Sequence, residues 1–233
     1  MIVGERKPFD EIKESVKDYK KLLIAGCGTC VSVCMAGGEK EVELLASQLR
    51  MANKLEGRDM EIGELTIQRQ CDKEYIEPIL EQAKGYDAVL SMACGAGVQL
   101  LSDMLEPKPV IPGLNTRFIG IAEEEGVWSE RCRACGNCLL GEFGGICPIA
   151  RCPKSLLNGP CGGSQNGKCE TDPNRDCAWA LIYERLKAQG RLDNLLKVRP
   201  PKDFTYQDFP AKQVNEDYLK AEMEPEEEQA PAK

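Results

Sequence analysis

Apolar positions along the first 125 residues alternate between helical spacing and short continuous runs. After Pro8, four apolar residues recur at helical spacing and predict a short amphipathic helix: Phe9, Ile12, Val16 and Tyr19. The run that follows, Leu-Leu-Ile-Ala-Gly at 22–26, shows no period-two alternation. Such a run is typical of a parallel strand that is covered on both faces.

The alternation of helix and strand continues as far as residue 121. In chain order it predicts a helix at about 39–53, a weaker strand at 62–67, a helix at about 75–83, a strand at 88–93 and a last strand at 117–121. Strands alternating with helices predict an α/β domain with a doubly wound, mostly parallel sheet over residues 1–125.

Beyond residue 125 the composition changes. A small cysteine-rich metal module is expected over residues 126–200, and an extended acidic tail over residues 201–233. Between Glu216 and Lys233 there are seven acids and two lysines. The stretch from Glu222 to Lys233 has almost no apolar surface, which predicts a disordered tail. The formal net charge of −8 argues against a nucleic-acid partner, which normally needs a basic face.

Thirteen cysteines and no histidine restrict the chemistry to sulfur. A disulfide scaffold fits poorly, because the cysteine count is odd and the first residues lack an apolar segment of signal-peptide length. No stretch approaches the ~20 apolar residues of a membrane span. We therefore expect a cytoplasmic protein whose thiols bind metal.

Three predicted strands of the first domain end in or near a cysteine: Cys27, Cys71 and Cys94. The carboxyl ends of parallel strands line one crevice, so we expect these thiols to converge there. With Cys30 they give the four thiolates that a [4Fe-4S] cluster requires. Alternatively, Cys71 and Cys94 are small buried hydrophobic residues. Cys34, one turn beyond Cys30, either replaces it as a ligand or is an inert neighbour.

Eight further cysteines lie between residues 132 and 177, a segment with few large apolar side chains. Such a segment is expected to fold by binding metal. Its opening resembles the bacterial ferredoxin motif with a longer final spacer and predicts an iron–sulfur cluster: Cys132, Cys135, Cys138 and Cys147-Pro148. The remaining four allow a second site for iron–sulfur or zinc: Cys152, Cys161, Cys169 and Cys177. Spacing leaves open how the eight are grouped.

Three segments resemble a known family: GCGTCVSVCMAGGEKEV, SMACGAGVQ and the run from RCRACGNC through GGICPIARCPKSLLNGPCGG to CAWALIYERL. They are similar to the small iron–sulfur subunit of methylenetetrahydrofolate reductase in acetogenic bacteria. Its second half is the methylenetetrahydrofolate reductase C-terminal family. The resemblance spans about residues 20–200.

The cysteine groups predict two or three [4Fe-4S] clusters, with zinc as the alternative in one four-cysteine site. The resemblance implies that the chain carries electrons to a flavin. It also implies a catalytic partner subunit that carries flavin mononucleotide and the folate site. The electron donor would be ferredoxin or a larger redox complex.

The residues themselves agree with an electron carrier, because no catalytic constellation stands out. A rival hypothesis is a structural or assembly protein whose four-cysteine sites hold zinc. A cysteine-nucleophile enzyme fits less well, because no histidine is present to activate the thiol. The predicted helix at about 178–189, which begins with Ala178-Trp179, is either ordinary core or a face for partner docking.

Overall fold

The structure is a computed structural model that describes residues 1–207, 210–216 and 218. The stretch from Glu222 to Lys233, which belongs to the predicted disordered tail, lies outside the described residues.

The described part of the chain is a mixture of strands and helices. Its strands are β1 Ile2–Arg6, β2 Lys21–Cys27, β3 Glu61–Ile67, β4 Ala88–Met92, β5 Val110–Pro112, β6 Leu114–Glu124, β7 Val127–Cys132, β8 Lys168–Cys169 and β9 Asp172–Asp176. Its helices are α1 Phe9–Val16, α2 Cys30–Val33, α3 Glu39–Leu55, α4 Lys73–Ile76, α5 Leu80–Lys84, α6 Gly95–Leu105, α7 Pro148–Arg151 and α8 Ala178–Ala188. Short 3-10 helices occur at Glu77–Ile79, Leu192–Leu196 and Phe204–Tyr206.

A four-stranded parallel sheet with the order β3-β2-β4-β5 forms the centre of the first domain. The predicted α/β class is confirmed. One hydrophobic core joins one face of the sheet to α1 and α3, and a second core joins the opposite face to α4, α5 and α6. With both faces covered, β2 and β4 are almost wholly buried, as their continuous apolar runs predict.

The structure corrects one predicted helix and adds another. The predicted helix at about 75–83 is two short helices, α4 and α5, separated by the 3-10 turn Glu77–Ile79. Pro78 lies in that turn, has no N–H to donate and cannot continue a regular helix. Helix α6, which begins at Gly95, was not predicted. Its buried face includes Leu101 and Leu105.

The prediction that the strand at 117–121 closes the parallel pattern is wrong. It belongs to β6, which is the central strand of a separate antiparallel sheet of order β1-β6-β7. Only Gly113 separates β5 from β6. A parallel connection requires a dozen or more residues, so β6 has to leave the parallel sheet. Strand β1, which pairs with β6 on the side opposite β7, was not predicted.

The cysteine-rich module has a small hydrophobic core of its own. Helix α8 packs Trp179, Ile182 and Leu186 against Phe143 and Ile146. The rings of Phe143 and Trp179 meet edge to face with their centroids 5.4 Å apart. This core confirms the ordinary-core interpretation of the predicted helix. Phe143 and Ile146 come from the segment 132–177, and α8 supplies the other apolar side chains. That the segment folds by binding metal stays a prediction.

Candidate metal centres

The carboxyl edge of the parallel sheet carries three cysteines. Cys27 is the last residue of β2, and Cys94 lies between the end of β4 and the first residue of α6. Cys71 lies in the loop that connects β3 to α4. The sheet changes winding direction between β2 and β4, and ligands of doubly wound sheets bind at such a switch point. The fold therefore brings these three cysteines to the edge where a bound group is expected.

Electrostatics connect the Cys71 thiol to the other two cysteines of the sheet edge. Partial burial is the main cause that raises the pKa of the Cys71 thiol, although Cys71 still counts as exposed. The neighbouring Cys94 and Cys27 raise that pKa further. An interaction of this kind requires proximity, because charges at an exposed site are screened over short distances.

Cys30 and Cys34 differ in their surroundings. Cys30 is half-buried and begins α2, three residues after Cys27. Cys34 is only 5% exposed and lies against β1, where its Sγ is 3.4 Å from Gly4 N and 3.5 Å from Val31 O. Burial raises the pKa of the Cys34 thiol. These contacts are those of a packed thiol, which is the inert alternative that the sequence left open for Cys34.

A second group of four cysteines surrounds one cavity. Its volume is about 280 Å³, and the thiols that line it are Cys132, Cys135, Cys138 and Cys147. Arg131, Arg133 and Lys202 also line this cavity, which we call the four-thiol cavity. These four are the cysteines of the ferredoxin-like motif in the sequence. Positive side chains beside it would offset the negative charge of thiolate ligands.

The backbone around the four-thiol cavity presents N–H groups to sulfur. Ala134 N is 3.3 Å from Cys132 Sγ, and Ala150 N is 3.5 Å from Cys147 Sγ. The loop bends back on itself through left-handed conformations, with φ of 49° at Ala134 and 74° at Gly136. Hydrogen bonds to sulfur are one means by which proteins tune iron–sulfur potentials. The donors fit a thiolate-ligated group.

The remaining four cysteines have different surroundings. Cys177 is buried and precedes α8, while half-buried Cys152 packs on the same core. Cys169, in the β8–β9 hairpin, lines a separate cavity of about 410 Å³. The Thr171 hydroxyl, 3.2 Å from Cys169 Sγ, lowers the pKa of that thiol. Cys161 is exposed.

Within the described ranges, no three Cys, Asp or Glu side chains stand close enough together to hold one metal ion as placed. The fit to a metal group is therefore judged from the chemistry of the donor sets. The cysteines at the sheet edge and those around the four-thiol cavity fit, since both groups offer sulfur ligands at neighbouring positions.

Residues 198–207, which we call the strap, contribute to the four-thiol cavity and were missed by the sequence. Lys202 Nζ donates to the carbonyl of Asn137, and Gln207 Nε2 is 3.1 Å from both Arg133 O and Ala134 O. The guanidinium of Arg199 forms an ion pair with Glu142 and lies 4.7 Å from the Phe143 ring centroid. The expected boundary of the tail at 201 thus falls inside a segment that contacts the cysteine-rich module.

Comparison with known proteins gives one family match. Residues 111–205 match the family model described as "Methylene-tetrahydrofolate reductase C terminal". The match begins in β5, covers the whole cysteine-rich module and ends in the strap. It relates this part of the chain to methylenetetrahydrofolate reductase.

Other comparisons add little. None of the curated proteins matches the chain. One solved structure, an extracellular ligand-binding receptor from Verminephrobacter eiseniae, is 15% identical with a TM-score of 0.33. It covers 45% of this chain, and the chain covers 28% of that protein. Within the described residues, no helix combines the length and the apolar character needed to cross a bilayer.

Proposed function

We propose that this chain is the electron-transfer subunit of a methylenetetrahydrofolate reductase. It would relay electrons through [4Fe-4S] clusters to a flavin on a catalytic partner subunit. The observation that carries the proposal is the four-thiol cavity, because it lies inside the region that matches the reductase C-terminal family.

Two sets of side chains would hold the clusters. The first is the sheet-edge set: Cys27, Cys30, Cys71 and Cys94. The second is the set around the four-thiol cavity: Cys132, Cys135, Cys138 and Cys147. A [4Fe-4S] cluster, when bound, supplies one-electron transfer. The chain contributes thiolate ligands, the N–H groups of Ala134 and Ala150, and the positive side chains of Arg131, Arg133 and Lys202.

A reconstituted assay tests the proposal. The purified chain is mixed anaerobically with the flavin-bearing catalytic subunit, methylenetetrahydrofolate and a low-potential donor such as reduced ferredoxin or reduced viologen. We expect methyltetrahydrofolate to form only when the chain carries its clusters, and we expect the chain alone to be inactive. Full activity of the partner without this chain, or with the chain stripped of metal, would refute the relay.

Structural zinc is the second candidate for the remaining four cysteines: Cys152, Cys161, Cys169 and Cys177. The β8–β9 hairpin carries Cys169, and Cys177 follows β9 directly. Cysteines on a small hairpin are typical of zinc ribbons. If the sheet-edge set and the cysteine-rich module both held zinc, the chain would be a structural or assembly subunit. Metal analysis of anaerobically purified protein separates these cases, because zinc leaves the protein colourless whereas iron–sulfur clusters absorb visible light.

A further inference from the structure

Gln70 is a completely buried polar side chain that immediately precedes Cys71. Its exposed fraction is 0%, and the same is true of Ser91. Gln70 Nε2 donates to Ala25 O and to Gly26 O, each at 2.9 Å. Gln70 Oε1 accepts a hydrogen bond of 2.6 Å from the Ser91 hydroxyl. Both hydrogens of the amide are therefore used, which is all that a glutamine can donate.

The network reaches the residue before each cysteine of the sheet edge. Gly26 precedes Cys27, Gln70 precedes Cys71, and Ala93 precedes Cys94. Gln70 bonds to Gly26 directly, and it reaches Ala93 through Ser91, whose Oγ lies 3.4 Å from Ala93 N. One side chain thus connects the ends of β2 and β4 to the loop that follows β3.

Close packing leaves this side chain little freedom. A Cβ atom at Gly97 would lie 2.9 Å from both Gln70 Cβ and Ala93 Cβ. Helix α6 therefore begins directly against the network, and glycine at 97 is what permits that approach. Ala25 pairs with Ser91 across the parallel ladder, so the acceptor carbonyl and the donor hydroxyl are held in fixed register.

A polar side chain at this buried position carries a cost. An apolar side chain of similar size would avoid the desolvation of an amide, but it could not bond to the Ala25 and Gly26 carbonyls or to the Ser91 hydroxyl. A fully satisfied buried polar network specifies one arrangement of the segments it joins. The arrangement specified here is the relative placement of three cysteines that come from distant parts of the sequence.

We propose that Gln70 is a positioning residue for the sheet-edge metal centre. By fixing the loop after β3 against the ends of β2 and β4, it holds the Cys71 thiol toward Cys27 and Cys94. The inference rests on the proposed function in so far as these thiols bind a cluster. The convergence of the thiols is independent of the metal, and it can be measured without it.

The test compares the full-length wild type with Gln70→Met and Ser91→Ala. Gln70→Met preserves an unbranched side chain but removes all three hydrogen bonds, and Ser91→Ala removes the link to β4. Val89→Ala is the matched control, because Val89 is equally buried in β4 but lies outside the network. Circular dichroism and thermal unfolding establish that each variant folds.

The first readout uses metal-free protein. Dibromobimane bridges pairs of closely placed thiols, and peptide mapping distinguishes bridges from Cys71 to Cys27 or Cys94 from those within the module. We expect Gln70→Met to lower the yield of Cys71 bridges by about tenfold, the population change that loss of buried hydrogen bonds typically produces. Ser91→Ala should lower it less, and Val89→Ala should leave it unchanged. Unchanged bridging in Gln70→Met, or an equal loss in Val89→Ala, would overturn the positioning role.

The second readout uses reconstituted protein. Iron content and the electron paramagnetic resonance spectrum of the reduced protein should change for the sheet-edge centre alone, with the module as an internal reference. Wild-type protein that forms Cys71 bridges yet shows no sheet-edge iron would refute the proposed cluster and leave the positioning role standing. Sheet-edge iron with an unaltered spectrum in Gln70→Met would refute the positioning role and leave the cluster standing.

Discussion

The α/β domain and the cysteine-rich module place their thiols by opposite means. In the α/β domain, Cys27, Cys71 and Cys94 are far apart in sequence, and they lie at one edge because strands of a buried parallel sheet end there. In the module, Cys132, Cys135, Cys138 and Cys147 are close in sequence and surround one cavity by local turns. A hydrogen-bonded ladder and two cores hold the first set, whereas one small core and the strap support the second.

This contrast predicts which region needs metal to fold. A parallel sheet with apolar helices on both faces has its own source of stability, so its thiols are prearranged. Loops rich in glycine and cysteine lack this source, and the free energy of metal binding then becomes free energy of folding. The two regions should therefore respond differently to the same treatment.

The largest effect should come from removing metal from the intact chain. We expect a chelator to reduce hydrogen-exchange protection of backbone amides in residues 132–171 by more than about a thousandfold, because metal contributes on the order of 10 kcal/mol to such modules. Amides of β2 and β4 should keep their protection. Helix α8 should retain part of its protection, since its core needs no metal. Equal loss in both regions, or none in the module, would contradict the contrast.

Single cysteine substitutions test which thiols of the α/β domain bind the cluster. We expect Cys71→Ala and Cys94→Ala each to remove about four iron atoms per chain, the content of one [4Fe-4S] cluster. Cys34→Ala is the matched control, because the Cys34 thiol packs against β1. It should keep all its iron and lower the free energy of unfolding by about 1 kcal/mol.

Iron and acid-labile sulfide analysis, together with urea unfolding, measure these outcomes. Unchanged iron in both Cys71→Ala and Cys94→Ala would return these residues to the buried-hydrophobe alternative. Loss of iron in Cys34→Ala would make Cys34 the ligand in place of Cys30.

The smallest effect should come from the strap. Lys202 lines the four-thiol cavity and bonds to the carbonyl of Asn137. Removing its charge in Lys202→Gln should lower the reduction potential of the module cluster by on the order of tens of millivolts, since a nearby positive charge stabilises the reduced, more negative state. Lys197→Gln removes the same charge from an exposed position that does not line the cavity. Redox titration should show a smaller shift for Lys197→Gln, and equal shifts would mean that only net charge matters.

Local patterns were enough to predict the elements that position the sheet-edge cysteines. The apolar run at 22–26 predicted β2, and the run at 88–93 predicted β4, because a fully covered strand needs apolar side chains in succession. The helical spacing at 39–53 likewise predicted α3, which extends from Glu39 to Leu55. Local patterns did not predict which sheet a strand joins. Residues 117–121 have strand character, but they belong to an antiparallel sheet because the connection from β5 is too short for a parallel pairing.

The sequence alone was enough to indicate an α/β domain followed by a cysteine-rich module, and to predict a chemistry that depends on thiols. Composition and spacing carry that information, because periodicity and ligand motifs are local properties. Tertiary structure alone decided that Cys34 packs against β1, that the strap reaches the four-thiol cavity, and that Gln70 joins three strand ends. Each of these results depends on contacts between residues at least 21 positions apart, and such pairings are set by how the segments pack in three dimensions.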